Sequence, residues 1–116
     1  ASPLVTPAFY WKVLALEGYR PEVDTCVQCG ADDVPLIAFD VESGGLLCRV
    51  CRRGTPITAE AVVLLRQILG GELNDALAAG ESPDAAAVVH EVDQLAIRAV
   101  EHHLERRLRS VNVLDH

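Results

Sequence analysis

The chain has 116 residues, half of them hydrophobic, and 17 acidic against 10 basic side chains give it a formal charge of −7. This length suits one domain, and the net negative charge excludes a domain that binds nucleic-acid phosphates over its whole surface. Aromatic residues make up only 4% of the chain, so a mostly α-helical domain is predicted. With no bilayer-length apolar run and no secretory leader, a soluble, cytoplasmic protein is expected.

The first predicted element is a helix that begins near Thr6-Pro7 and ends at Gly18. Proline is favoured at the first helical position, and glycine is favoured just past the end of a helix. The helical period predicts a buried face of three apolar residues, widened by two more. These are Phe9, Val13 and Leu16, with Trp11 and Leu14 beside them.

Four cysteines give the strongest signal in the sequence, and they form two Cys-x-x-Cys pairs separated by eighteen residues: Cys26, Cys29, Cys48 and Cys51. Two residues between ligands let one tight turn direct both sulfurs to a single tetrahedral centre, so a four-cysteine Zn²⁺ site is predicted. Gly30 supports such a turn, because glycine accepts a positive φ. Four thiolates close the coordination shell, so the predicted zinc is structural and no enzymatic activity is expected.

The segment between the cysteine pairs predicts a β-hairpin. Residues 36–41 are apolar and partly β-branched, residues 42–45 contain the turn sequence Glu-Ser-Gly-Gly, and Leu46-Leu47 leads into the second pair. The hairpin would bring the two pairs together as a zinc ribbon. The predicted fold is therefore a small, mostly α-helical single domain over residues 1–116. A four-cysteine zinc-ribbon hairpin is inserted at residues 22–54, and residues 1–21 and 55–116 form the helical body.

Four cysteines also occur in disulfide frameworks, redox sites and free-standing zinc ribbons. A secreted disulfide framework conflicts with the sparse cysteines and the missing leader. A thioredoxin-like redox site needs one pair at a helix N-terminus within a βαβ pattern, and the sequence has two pairs in loops. A free-standing structural zinc ribbon of a transcription complex or another multi-protein assembly explains the cysteines equally well. It leaves the long C-terminal helix unexplained.

Three helices are predicted after the cysteine module. Thr58 caps the first, which ends at Gly70-Gly71, and a short helix follows over about residues 72–79. Ser82-Pro83-Asp84 opens the longest helix, which is expected to reach about Ser110. Its predicted core face consists of Val88, Val92, Leu95, Ala96, Ala99 and His103. His103 is expected to be a hydrogen-bonded core histidine, whereas His90 and His102 are expected at the surface.

Basic residues cluster near the end of this last helix, where the helix dipole favours cations. Positive charge beside apolar residues also suits an acidic, hydrophobic-ended peptide or a phosphate backbone. The predicted contact surface joins Lys12 of the first helix to Arg106 and Arg109 of the last.

The sequence also resembles a known family. The segment FYWKVLALEGYRPEVDTC at residues 9–26, with its Gly-Tyr-x-Pro run into Cys-x-x-Cys-Gly, resembles the entry to the zinc module of RecO, the bacterial DNA repair and recombination mediator. The segment HLERRLRS at residues 103–110 is similar to that family's closing helix. Lys12 stands where many members have arginine, and Glu105 and Arg107 stand where glycine and proline are common.

This resemblance implies a role in DNA repair and recombination without catalysis. Family members begin with an OB-fold that binds single-stranded DNA, and the present sequence corresponds to the part that follows it. The resemblance further implies annealing of complementary strands and loading of recombinase onto DNA coated by single-strand-binding protein (SSB). The implied partners are RecR and the acidic SSB tail, and the implied location is the bacterial cytoplasm, associated with the nucleoid.

Overall fold

The computed structural model describes residues 3–114 and the side chains of residues 3–110, so the ends of the predicted 1–116 domain lie outside the described part. The helices are α1 (Val5–Leu16), α2 (Ala59–Leu69), α3 (Leu73–Gly80) and α4 (Ala86–Leu114), and a 3₁₀ turn at Pro83–Ala85 precedes α4. The strands are β1 (Leu36–Asp40), β2 (Gly45–Cys48) and β3 (Thr55–Pro56). The predicted fold class, a mostly helical domain with an inserted cysteine hairpin, is confirmed. None of the described helices is long and apolar enough to span a membrane.

The three strands form one antiparallel sheet in the order β2-β1-β3. β1 pairs with β2 as a hairpin, from Asp40 opposite Gly45 at the turn to Leu36 opposite Cys48 at the far end. A positive φ of 82° at Gly44 allows the turn. Gly45 lies against the segment that enters the module, because a Cβ at this position would come within 2.5 Å of the carbonyl oxygen of Glu22. The absence of a side chain at Gly45 thus permits the close contact between the hairpin and the backbone of Glu22.

The helix boundaries follow the sequence signals with small differences. Thr58 caps α2 by accepting a hydrogen bond from the backbone N–H of Ala61 at 3.2 Å, and Ser82 caps the turn before α4. α1 begins two residues before Pro7, which is tolerated because the first-turn N–H groups have no partner within a helix. α4 continues to Leu114, beyond the predicted end near Ser110.

The predicted buried face of α1 is right for Trp11 and Leu14 and wrong for Phe9, Val13 and Leu16. Phe9 is 63% exposed and Leu16 is 87% exposed, whereas Trp11 is fully buried. The side chains that face the core are Leu4, Pro7, Ala8, Trp11 and Leu14. α1 is apolar on almost every side, so its periodicity could not determine which face would meet the sheet and α4.

Helices and sheet share one core. The Trp11 and Phe39 rings pack edge to face with centroids 5.7 Å apart, which joins α1 to β1. The Arg66 guanidinium of α2 donates to the carbonyl oxygen of Val23 at 2.8 Å, just before the first cysteine pair. Arg98 of α4 donates to the hydroxyl of Thr55 at 2.6 Å. The sheet and the segment that enters the cysteine module are therefore held by three different helices.

The two sides of α1 differ sharply in their expected energetic importance. Trp11→Ala should lower the free energy of unfolding by about 3–5 kcal/mol, because it empties a fully buried site. Phe9→Ala should lower it by less than about 1 kcal/mol, because Phe9 lies on the exposed side. Urea unfolding followed by circular dichroism measures both values. Equal losses in the two variants would contradict the observed orientation of α1.

Candidate metal centre

The first cysteine turn is closed by backbone hydrogen bonds at both ends. The N–H of Gly30 donates to the carbonyl oxygen of Cys26 at 2.8 Å, and the N–H of Cys26 donates to that of Ala31 at 2.9 Å. Gly30 has a φ of 79°, as predicted from its place after the pair. The N–H of Val27 donates to the carbonyl oxygen of Leu46 at 2.9 Å, which ties this turn to β2. The geometry of the first pair is therefore set by its own turn and by the hairpin.

The second cysteine pair begins at the end of β2. Cys48 is the last residue of that strand, and the chain then turns through Arg49 and Val50 to Cys51. Cys26 and Cys48 are buried, Cys51 is partly buried and Cys29 is exposed. One cysteine of each pair therefore faces the core, and the other lies nearer the surface.

The four predicted ligands converge. The Sγ atoms of Cys26, Cys29, Cys48 and Cys51 all lie within 4.8 Å of one another, and those of Cys29 and Cys48 are 3.8 Å apart. In a tetrahedral site with Zn–S bonds near 2.3 Å, neighbouring sulfurs lie about 3.8 Å apart. A disulfide would require about 2.05 Å, and the cysteines are free. The cluster fits one tetrahedrally coordinated metal ion.

The electrostatics of the cluster also suit a cation. Burial tends to raise the pKa of Cys26, but backbone hydrogen bonds from Cys29, Cys48 and Gln28 outweigh it and lower that pKa to about 6. Burial and the neighbouring cysteines raise the pKa of Cys51 to about 12. Four thiolates this close repel one another. The positive charge of a divalent cation offsets that repulsion and so favours the deprotonated thiols that bind metal.

Arg53 links the parts of the cysteine module to one another. Its guanidinium donates to the Asp40 carboxylate at 3.0 Å, to the side-chain oxygen of Gln28 at 3.1 Å and to the Ser43 hydroxyl. Asp40 ends β1 and Ser43 lies in the hairpin turn, whereas Gln28 lies inside the first cysteine pair. Burial would raise the pKa of Asp40, but hydrogen bonds from Ser43 and Arg53 lower it below its ordinary value. Sequence reasoning missed this connection, because the partners are up to 25 positions apart.

The predicted partner-contact residues lie in different settings. Lys12 borders an apolar groove between α1 and α3 that is lined by Val5, Phe9, Leu73 and Leu77. Arg106 borders a separate cavity between α1, α4 and the hairpin. Arg109 is exposed and lies 4.0 Å from Glu105 on the same helix. Lys12 and Arg106 thus line two different cavities.

The histidines of α4 follow their predictions in part. His103 is buried, as expected, and its ring lies 4.2 Å from that of Tyr19. Its Nδ1 has no hydrogen-bond partner within residues 3–110. His90 is exposed, and His102 is half-buried.

Fold and site together define a helical domain that carries a hairpin with four clustered cysteines, whose arrangement suits a metal ion. The chain matches the family model described as "Recombination protein O C terminal" over residues 1–112. Proteins named "DNA repair protein RecO" from Synechococcus sp. and Frankia casuarinae each share 35% sequence identity with this chain. Each alignment covers 97% of this chain, and it covers 40% of the first relative and 44% of the second. The protein of that name from Desulforudis audaxviator is 37% identical over 91% of the chain and 43% of its own length. No solved structure gives a significant match.

The chain therefore belongs to the RecO C-terminal family. It spans about two fifths of the length of these relatives. The family resemblance inferred from residues 9–26 and 103–110 is confirmed, and the match includes the helices as well as the ribbon.

Removing a ligand from the cysteine cluster should destabilise the whole domain, because the free energy of metal binding contributes directly to folding. Cys51→Ser or treatment with a strong chelator is expected to lower the free energy of unfolding by about several kcal/mol, because either change removes the contribution of metal binding to folding. Elemental analysis of protein purified without added metal should find one divalent ion per chain.

Val50→Ser provides the matched control, because Val50 lies between Cys48 and Cys51 and is 93% exposed. It should retain both the metal and the stability of the parent chain. A metal-free protein with paired thiols, or a chelator without effect on melting, would contradict the assignment.

Proposed function

We propose that this chain is the protein-docking and supporting part of a RecO-like recombination mediator in DNA repair, and that it acts without catalysis. The match to the RecO C-terminal model over residues 1–112 carries this proposal. A free-standing ribbon would match within residues 22–54 alone. In this proposal, single-stranded DNA is bound mainly by an OB-fold elsewhere in the full protein, and RecR and the SSB tail are its protein partners.

We further propose that the metal is one structural Zn²⁺ held by Cys26, Cys29, Cys48 and Cys51. Four sulfurs at this spacing match the ligand type and geometry of structural zinc sites. Catalytic zinc keeps an open position for water, and four thiolates leave none. The zinc would therefore fix the ribbon to the helical body and take no part in chemistry, which supports a non-enzymatic role.

Docking of an acidic, hydrophobic-ended SSB tail is supported by two surfaces. The last described turns of α4 are exposed and carry Leu104 and Leu108 beside Arg106 and Arg109. The groove that Lys12 borders is almost entirely apolar and has this one cation at its edge. Each surface thus offers positive charge next to exposed apolar area, which such a peptide needs.

A lysine at position 12 keeps the charge of an arginine but lacks its bidentate geometry.

Titration of an SSB tail peptide into single variants tests which surface is used. If the end of α4 binds the tail, Arg106→Ala and Arg109→Ala should each weaken binding roughly fivefold, and added salt should reduce the difference. If the groove binds it, Lys12→Ala should produce that loss. Isothermal titration calorimetry supplies the affinities.

Arg52→Ala is the control, because Arg52 is an exposed cation on the ribbon and lines neither surface. Affinity unchanged in Arg106→Ala and Arg109→Ala would remove α4 from the proposal. Unchanged affinity in all three variants would remove tail docking on both surfaces.

A further inference from the structure

A cavity of about 250 Å³ lies where α1, the segment at residues 19–21, the β1–β2 hairpin and α4 meet. It does not contain the cysteine sulfurs, and the Lys12 groove is separate from it. Its apolar wall is formed in part by the Trp11 and Phe39 rings, which pack edge to face. The volume is close to the lower limit of small-molecule sites, so it suits a single small ligand and not a folded segment.

Two guanidinium groups border this cavity, from Arg20 and Arg106. Neither has a carboxylate within ion-pair distance in the part of the chain that the structure describes, and one carboxylate, that of Glu42, lines the wall. Four other arginines each have such a partner: Arg53, Arg66, Arg107 and Arg109. In a chain of charge −7, two unneutralised cations beside one cavity make a local site for an anion.

The wall of the same cavity contains unused hydrogen-bonding capacity. Within residues 3–110, two buried side-chain nitrogens have no partner, Trp11 Nε1 and His103 Nδ1. Both residues line this cavity. A buried polar group without a partner costs about 1–3 kcal/mol, and such groups are rare in folded proteins. Neither nitrogen is open to solvent, and each keeps an unmet demand for a hydrogen-bond partner beside this cavity.

We infer that this cavity binds a single nucleotide, with its phosphate on Arg20 and Arg106 and its base against the exposed ring of Tyr19, which also lines the cavity. Guanidinium groups match phosphate oxygens in a bidentate geometry, and bases pack on aromatic side chains. The choice of a nucleotide over another phosphate ester rests on the proposed repair function. Two ligands present a base and a terminal phosphate in this way: a free mononucleotide and the phosphorylated end of a DNA strand.

The fluorescence of Trp11 reports on binding directly, because it is the single tryptophan of the chain. Thymidine 5′-monophosphate should cause a saturable change in this signal. Thymidine and inorganic phosphate should each bind at least about tenfold more weakly, since each retains only one of the two contacts. ³¹P NMR of the monophosphate gives an independent reading of the same binding in the parent chain.

A second comparison distinguishes a free mononucleotide from the phosphorylated end of a DNA strand. A 5′-phosphorylated oligothymidylate should bind at least as tightly as the mononucleotide, and more tightly than its 5′-hydroxyl form, if the ligand is a DNA end. Exclusion of the oligonucleotide, with the mononucleotide still bound, would assign the site to free nucleotides. Both results support the inference.

Variants test the two cations. Arg20→Gln and Arg106→Gln should each weaken monophosphate binding about tenfold, and Arg106→Lys should lose less because it keeps the charge. Arg52→Gln, which changes an exposed arginine outside the cavity, should leave binding unchanged. Circular dichroism melting verifies that each variant is folded.

Several results would overturn the inference: no saturable response in the parent chain, equal affinity for thymidine and its monophosphate, or an equal loss in Arg52→Gln. Inorganic phosphate binding as tightly as the monophosphate would remove the nucleotide assignment. Arg20 lies outside the surfaces proposed for the SSB tail. Loss of nucleotide binding in Arg20→Gln with tail binding intact therefore separates this inference from the proposed function.

Discussion

The constraint on which the structure depends is the convergence of four sulfurs at one point. Two turns 18 residues apart in sequence meet there because β1 and β2 pair antiparallel, with Leu36 opposite Cys48. Hairpin and cluster stabilise each other. Without the pairing the second cysteine turn would not reach the first, and without a cation four crowded thiols would repel on ionisation. Metal binding and folding are thereby coupled in the proposed zinc site.

The ribbon is not an independent appendage, because its residues belong to the core of the helical body. The Trp11–Phe39 contact attaches it to α1, and the Arg66 bond to the Val23 carbonyl attaches it to α2. The Arg98 bond to Thr55 attaches the adjoining strand β3, which pairs with β1, to α4. A substitution at the cysteine cluster should therefore also affect the packing of α1 and α4. For a protein proposed to dock other proteins, this arrangement supplies a rigid frame that holds two surfaces at fixed positions.

The arginines show how a chain with a net negative charge can still offer positive sites on its surface. Arg53 and Arg107 are neutralised by nearby carboxylates and connect parts of the fold. Arg20 and Arg106 have no such partner among the described residues, and both face one cavity. Net charge is thus a poor guide to binding here, because the positive charge that remains available is gathered in a few places.

Local chemistry in the sequence was enough to predict the four helices, the β1–β2 hairpin and the four cysteines that converge, but not the short strand β3. The Cys-x-x-Cys spacing identified four residues that converge, Gly30 indicated the positive φ of the first turn, and Thr58 marked the start of α2. Each signal acts over a few residues, so it can be interpreted without the fold. Tertiary structure alone decided which side of α1 is buried, because that helix is apolar on almost every side and only its contacts with the sheet and α4 select Trp11 over Phe9. The same is true of the Arg53 network and the Arg20–Arg106 cavity, which join residues far apart in sequence and leave no periodic signal.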